Sequence, residues 1–288
     1  MKITFLEPCG YCAGVDRAIN LSIKVKEENP NSEVVVLGML VHNSFTLKTL
    51  EEHGIKTVYK KGSSIDELVD EIKEPSIVIL SAHGHSKALE EKILKHGHKI
   101  IDATCPFVQK SMEEIKKELS LGKDVFYIGV KNHPESNAAL SLGNNVHLID
   151  INNISIPKIN NNYPVVISQT TLSEFEVSKV CENIKNMYKC ARVVKGICNA
   201  STQRQKSILS LDKDVDKIFV VGDFNSNNCK TLFELAKKTY PTIDVQWIQG
   251  PDDVNPDELQ DLNHVVFSSG ASTPSQILTE IRMKFLMY

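Results

Sequence analysis

Six short runs of continuous apolar residues punctuate the chain: VVVLG (34–38), IVILSAHG (77–84), DVFYIG (124–129), VVISQTT (165–171), IFVVG (218–222) and VVFSSGAS (265–272). They do not alternate between apolar and polar positions. Each is rich in Val, Ile or Phe and runs out into Gly, Ser or Thr, the pattern of strands buried on both faces of a parallel sheet. Between them lie amphipathic helical stretches such as SIDELVDEIK (64–73) and PFVQKSMEEIKKEL (106–119), the first opened by a Ser64/Glu67 capping box. MKITFLEP at the start reads as one more strand, because its apolar run is too short for the core of a secretory signal. Strands alternating with helices predict an α/β class. Two stretches lack a clear period: an Asn-rich segment (143–164), expected to be a meandering surface connection, and the acidic GPDDVNPDELQDL (250–262), expected to be a solvated face.

The pattern repeats. VVLGMLVHN, VFYIGVKNHPE and FVVGDFNSNN each run strand, Gly, three residues, then a polar pair, with their glycines at 38, 129 and 222. A second set places Ser81, Ser168 and Ser268 at strand ends. A third set carries Cys12, Cys105 and Cys198, spaced 105 − 12 = 93 and 198 − 105 = 93, each in front of a helix-like segment. Repetition at such a period indicates recurring structural units. Three units are expected: 13–104, 105–196, and 197–288 joined by 1–12. The mostly parallel sheets would be related by a pseudo-threefold axis.

Composition narrows the classes. With 41 % hydrophobic and 24 % charged residues in 288, the chain has a globular profile, and its net charge of −3 argues against a nucleic-acid partner. No apolar run approaches the roughly 20 residues that span a bilayer, so no membrane partner is expected. Seven cysteines in a chain of this size do not form a small disulfide framework; a reducing compartment with metal binding or thiol chemistry is the expectation.

Ligands of parallel sheets bind beyond the carboxyl ends of the strands. There the chain places His42-Asn43, Ser81-Ala82-His83, His133-Pro134-Glu135, Gln169-Thr170-Thr171, Ser226-Asn227-Asn228 and Ser272. A lone buried cysteine is most often apolar filler, but three at equivalent positions of a repeat are better explained as joint ligands. Soft thiolates select iron–sulfur clusters, zinc or Cu(I). Three without an equivalent fourth, far apart in sequence, suit an iron–sulfur cluster with one open iron better than a closed structural zinc site. Cys181 and Cys190 sit in a helical pattern and read as filler, and Cys9 and Cys229 have no counterparts in the repeat. His53, His96, His98, His147 and His264 read as surface residues. His42, His83 and His133 end buried strands and, with the neighbouring hydroxyls and amides, make a donor-rich pocket for an anion such as phosphate. No Walker loop or G-x-G-x-x-G appears, so no nucleotide cofactor is indicated. Glu135 is the one carboxylate on these loops and the natural proton donor.

GYCAGVDRAI, VHN, SAHG, DATCP, HPE, SQTTLS and SSGAS, in this order and with a third helix-opening cysteine, make the sequence resemble the LytB-type 4-hydroxy-3-methylbut-2-enyl diphosphate reductase family along essentially its whole length. The resemblance implies a trefoil of three α/β domains around a central iron–sulfur cluster: one 4Fe–4S cluster per chain, held by Cys12, Cys105 and Cys198 with an open apical iron. It implies a diphosphate held by His42, His83, His133, Ser226, Asn227, Asn228 and Ser272. Thr170 would act near the substrate hydroxyl, and Glu135 would supply protons. It further implies conversion to isopentenyl and dimethylallyl diphosphate at the end of the methylerythritol phosphate route. A ferredoxin or flavodoxin would be the electron donor, a monomer or weak dimer the assembly, and bacterial cytoplasm or a plastid-type stroma the setting. The chain departs from the family at Asn227 (commonly Ser), at Cys9 and at Asn199 (commonly aromatic), none of which removes an assigned role. Two other readings of the same residues are a zinc-dependent hydrolase of a small phosphorylated metabolite and a redox sensor with a thioredoxin-like Cys9/Cys12 pair. Visible absorbance separates them.

Overall fold

The six apolar runs become the paired inner strands of three four-stranded parallel sheets. In the computed structural model, which describes residues 1–286 apart from 74, 161 and 213, the chain divides into two compact units. The last two residues of the third expected unit, 287–288, lie outside the described residues.

Residues 1–16, 42–46 and 198–288 make one unit, and 17–41 with 47–197 the other. The elements, in chain order, begin with β1 (Lys2–Phe5), α1 (Ala13–Glu28), β2 (Val34–Leu37), α2 (Ser44–Glu52), β3 (Lys56–Val58), α3 (Ile65–Val69), β4 (Ile77–Leu80), α4 (Lys87–Lys95) and β5 (Lys99–Asp102). They continue with α5 (Pro106–Ser120), β6 (Val125–Gly129), α6 (Pro134–Leu140), β7 (Val146–Asp150), β8 (Val165–Ser168), α7 (Glu174–Met187), β9 (Arg192–Val193) and α8 (Asn199–Leu209). The chain closes with β10 (Lys217–Val221), α9 (Asn227–Thr239), β11 (Asp244–Ile248), two short 3₁₀ turns, β12 (His264–Ser269) and α10 (Ser275–Leu286).

The sheet orders are β3-β2-β4-β5, β7-β6-β8-β9 and β11-β10-β12-β1. The first strand of the chain therefore takes, in the third sheet, the edge place that β5 and β9 take in the others. It pairs in parallel with β12 from Lys2 opposite His264 to Phe5 opposite Phe267. After each of these three edge strands a cysteine stands immediately before a helix: Cys105 and α5, Cys198 and α8, Cys12 and α1. This equivalence is the structural origin of the 93-residue spacing.

The inner strands are buried along their whole length, which is why they read as unbroken apolar runs. The edge strands mix polar and half-exposed residues (KTV, KIID, RV, DVQWI), so they do not stand out in the sequence. One of them corrects an expectation: the Asn-rich segment is not only a connection but contains β7, whose Val146 and Ile149 pack inward. The acidic segment exposes Asp252 and Asp253 as expected, yet anchors itself through buried Val254 and Leu259. The Ser64/Glu67 capping box is present, although the helix it opens runs only to Val69.

In the larger unit, α5 and α6 cover one face of the β6–β9 sheet through Val108, Met112, Ile115, Ala138 and Ala139. Helix α7 covers the other through Val177, Val180, Cys181 and Ile184. In the smaller unit the stacked rings of Phe5, Phe267 and Phe219 line one face of the sheet. Two of the repeated glycines are explained by close approach. A Cβ on Gly129 would lie 2.3 Å from Ser136 Oγ, and one on Gly222 would lie 2.4 Å from Cys229 Sγ, so in both units the residue seven positions on packs against the strand end.

Three expectations about side chains change. His98 and His264 are buried, each 4 % exposed, rather than at the surface. His98 Nδ1 accepts a hydrogen bond from Ser76 N, and His264 pairs with Thr4 Oγ1 across the β1/β12 ladder. Cys190 is exposed beyond the end of α7 and is not filler, whereas Cys181, on the inner face of that helix, is.

Candidate active site

The residues predicted at the strand ends fall in two groups, one in each unit. In the larger unit β6 and β8 are neighbours, so their ends bring Tyr127, Glu135 and Thr170 together. Glu135 is 1 % exposed in the first turn of α6. One carboxylate oxygen accepts from Tyr127 Oη at 3.1 Å and from Thr170 N at 2.9 Å, and the other accepts from Thr170 Oγ1 at 2.8 Å. Loss of hydration raises the Glu135 pKa to about 7, against the opposing pull of these three donors. Burial and the adjacent carboxyl push the Tyr127 phenol well above its ordinary range, so it remains a donor. His133 caps α6, its Nδ1 accepting from Glu135 N at 3.1 Å, and its ring stands edge-on to that of His83 with centroids 5.6 Å apart. Gln169, fully buried, accepts from Val130 N and donates to Thr171 Oγ1, which fixes the loop carrying Thr170.

Cys105 belongs to the same unit. It is half-buried, caps α5 without using its side chain for the cap, and is followed by Pro106 at the first helical position.

In the smaller unit, Cys12 and Cys198 open α1 and α8. Cys198 Sγ accepts from Ser201 N at 3.4 Å. Ser201 Oγ accepts from the Asn228 amide at 3.1 Å, Asn228 Oδ1 accepts from Ala271 N at 2.9 Å, and Ala271 O accepts from Cys12 N at 2.9 Å. A chain of hydrogen bonds thus joins the two cysteine loops, and the Asn228 side chain, expected to face an anion, is engaged within it. Ser226 caps α9, and its hydroxyl lies 3.4 Å from that of Ser272. Ser272 in turn reaches His42 O at 3.5 Å, and Asn227 is the first residue of α9. Burial lowers the His42 pKa although the Asp223 carboxylate opposes it, which keeps the imidazole neutral and able to accept as well as donate.

Three participants were not singled out from sequence: Tyr127, Asp223 and Arg204. Asp223, 4 % exposed, accepts from Ser44 N at 2.9 Å and Asn225 N at 2.8 Å, so it organises the starts of α2 and α9. Arg204 is buried at 1 % exposure and bonds the carbonyls of Ser269 and Gly10. Each had a faint signal: a phenol inside an unbroken apolar strand, a carboxylate directly after a strand-ending glycine, and an arginine in a helix with few apolar residues to bury.

Two cysteines outside the repeat are held as thiols. Cys9 donates to the Glu7 carboxylate at 3.4 Å, and burial together with that neighbour raises its pKa, so it stays a thiol. Burial pushes Cys229 up to about 11.

Comparison with known proteins follows from this arrangement. The profile of the LytB protein family matches residues 3–286. This chain belongs to the LytB family. It is 36 % identical over 282 residues to the 4-hydroxy-3-methylbut-2-enyl diphosphate reductase of Malacoplasma penetrans, covering 96 % of this chain and 94 % of that protein. It is 33 % identical over 292 residues to the enzyme of the same name from Geobacillus kaustophilus, covering 98 % and 89 %. The solved structure of the E-1-hydroxy-2-methyl-but-2-enyl-4-diphosphate reductase from Plasmodium falciparum superposes with a TM-score of 0.86 at 26 % identity, covering 99 % of this chain and 87 % of that one. As a LytB protein the chain is an oxidoreductase, which sets aside the hydrolase and redox-sensor readings. No helix among the described residues is long and apolar enough to cross a membrane.

Membership in the LytB family implies an iron–sulfur cofactor. The donor chemistry fits one. Cys12, Cys105 and Cys198 are half-buried, free of disulfides and at helix starts, where the helix dipole favours anionic sulfur. The buried Arg204, on the helix that Cys198 opens, donates to Gly10 O in the loop that leads into Cys12. Among the described residues no three His, Cys, Asp or Glu side chains already stand in a metal-holding arrangement. Two of the three cysteines belong to one unit and the third to the other.

Proposed function

We propose that this LytB-family chain reduces 4-hydroxy-3-methylbut-2-enyl diphosphate, the substrate in the names of its relatives, to isopentenyl and dimethylallyl diphosphate. Two electrons and two protons enter, the allylic C–O bond breaks, one proton leaves with the hydroxyl as water, and the other goes to an allylic carbon. Cys12, Cys105 and Cys198 would hold a 4Fe–4S cluster, which would supply single electrons and a Lewis-acidic iron for the hydroxyl. A small donor of the ferredoxin or flavodoxin class delivers them.

The observation that carries this reading is the buried Glu135–Thr170 pair. A carboxyl with a pKa of about 7 is half protonated at neutral pH, the condition in which an acid is both available and strong enough to give up its proton. In the neutral form Glu135 donates to Thr170 Oγ1, reversing the 2.8 Å bond, and the Thr170 hydroxyl then donates outward to the leaving oxygen. Reprotonation of the pair prepares the second transfer, to carbon.

The diphosphate is assigned to the hydroxyls of Ser226 and Ser272 with His42, Asn227 and Asn228 at the start of α9, and to the His83/His133 pair. The α9 start supplies backbone N–H groups and the positive end of a 13-residue helix, which suits an anion.

The test is Glu135→Gln, assayed anaerobically with a reduced one-electron donor. Substrate binding is expected to persist, and turnover is expected to fall by about 10²–10⁴-fold, the range for loss of a general acid. Near-normal turnover would remove Glu135 from the proton path.

A further inference from the structure

Arg204 is the largest fully buried side chain among the described residues, and its surroundings are unusual for an arginine. Its Nε donates to Ser269 O at 3.0 Å and its Nη2 to Gly10 O. Both partners are neutral carbonyls. Among the described residues no carboxylate pairs with it; burial lowers its pKa, and the groups that oppose this are the sulfurs of Cys12, Cys9, Cys198 and Cys229. A buried charge is costly unless an opposite charge compensates it. Two of these sulfurs do not fill that role: Cys9 shares its proton with Glu7, and Cys229 is a fully buried neutral thiol. Cys12 and Cys198, the two repeat cysteines of this unit, remain.

Arg204 follows Cys198 by six residues on α8, a helix whose buried face is mostly polar: Ser201, Thr202, Arg204 and Gln205, with Ile208. Its bond to Gly10 O ties it to the loop that leads into Cys12. Its bond to Ser269 O ties it to the end of β12, just before Ala271, whose carbonyl accepts from Cys12 N. One cation therefore sits at the junction of both cysteine loops.

We infer that Arg204 is a positioning residue for the metal centre. It braces the Cys12 loop and supplies the buried positive charge that favours the reduced, more negative form of a cluster held by Cys12 and Cys198. This rests on the iron–sulfur reading above. Gain of one electron from the external donor raises the negative charge of the centre by one, and a fixed nearby cation stabilises that product more than the oxidised state. Removing the cation lowers the reduction potential. Arginine suits the place because it stays protonated despite burial and holds two carbonyls in a fixed fork.

The experiment compares wild type, Arg204→Lys and Arg204→Gln, purified anaerobically with the cluster in place. Iron per chain is measured, and the reduced fraction is followed by electron paramagnetic resonance during a redox titration. R204Q is expected to show an at least tenfold lower ratio of reduced to oxidised cluster at a fixed potential, about 59 mV for a one-electron couple. R204K, which keeps the charge, is expected to stay close to wild type. Loss of iron from R204Q with retention in R204K also supports the inference, because the charge is then needed to hold the anion. Equal potentials in R204Q and wild type would overturn it, as would equal shifts or equal iron loss in both variants. A wild-type protein that binds no iron–sulfur cluster at all would overturn the functional reading itself, a result visible before any variant is made.

Discussion

Tyr127→Phe isolates the electrostatics of the proton donor without touching the Thr170 relay. The phenol donates to Glu135 at 3.1 Å inside a site closed to solvent. That bond favours the ionised carboxyl, so removing it raises the Glu135 pKa above its value of about 7. A hydrogen bond to a charged group is worth about 1.5–3 kcal/mol and one to a neutral group about 0.5–1.5. The difference between the two protonation states is then about 1–2 kcal/mol, or roughly one pKa unit at 1.36 kcal/mol each. Glu135 must be protonated to act, so its activity is fully present at acid pH and is lost as pH rises through its folded-state pKa. Moving that pKa from about 7 to about 8 raises the protonated fraction at pH 8 from about one-tenth to about one-half. Tyr127→Phe should therefore shift the alkaline limb of kcat/KM by about one unit. At pH 8 it should turn over about fivefold faster than wild type when each is scaled to its own acid plateau. Phenylalanine keeps the shape of the ring, so packing around β6 is preserved. Single-turnover measurements on pre-reduced enzyme across the pH range exclude electron delivery as the limiting step. An unmoved limb, or one shifted to lower pH, would refute Glu135 as the titrating acid.

Three further substitutions probe other parts of the same structure. Cys105→Ser is expected to abolish the broad brown visible absorbance of a thiolate-bound cluster while Cys9→Ser retains it; equal loss in both would mean that the repeat selects the wrong sulfur. Gly196→Ala would put a Cβ 2.2 Å from Ser168 O at the end of β8, and thermal denaturation should register a destabilisation of about 1–3 kcal/mol, whereas an unchanged melting temperature would show that the close approach is not required.

The sheets illustrate where sequence reading succeeds. β2, β4, β6, β8, β10 and β12 are buried on both faces, so their residue types are dictated locally and the pattern is visible without a partner strand. The edge strands escape because half-exposed positions tolerate Lys, Asp, Gln and His; β7 was hidden in an Asn-rich stretch for that reason. His98 and His264 were misplaced at the surface because an imidazole is buried only when another element supplies a partner, here Ser76 N and Thr4 Oγ1.

The chain's own order of residues determined the α/β class, the inner strands, the equivalence of Cys12, Cys105 and Cys198, and their placement at helix starts. All of these are properties of local pattern and period. Tertiary structure alone decided which carboxyl is buried with a raised pKa and which arginine is buried without a carboxylate partner. Glu135 owes its raised pKa to the exclusion of water, against the opposing pull of Thr170 and Tyr127 on the neighbouring strands. Arg204 acquires its character from Gly10 and Ser269, 194 and 65 residues away. Desolvation and electrostatics depend on what surrounds a group in space, and only the folded chain brings those surroundings together.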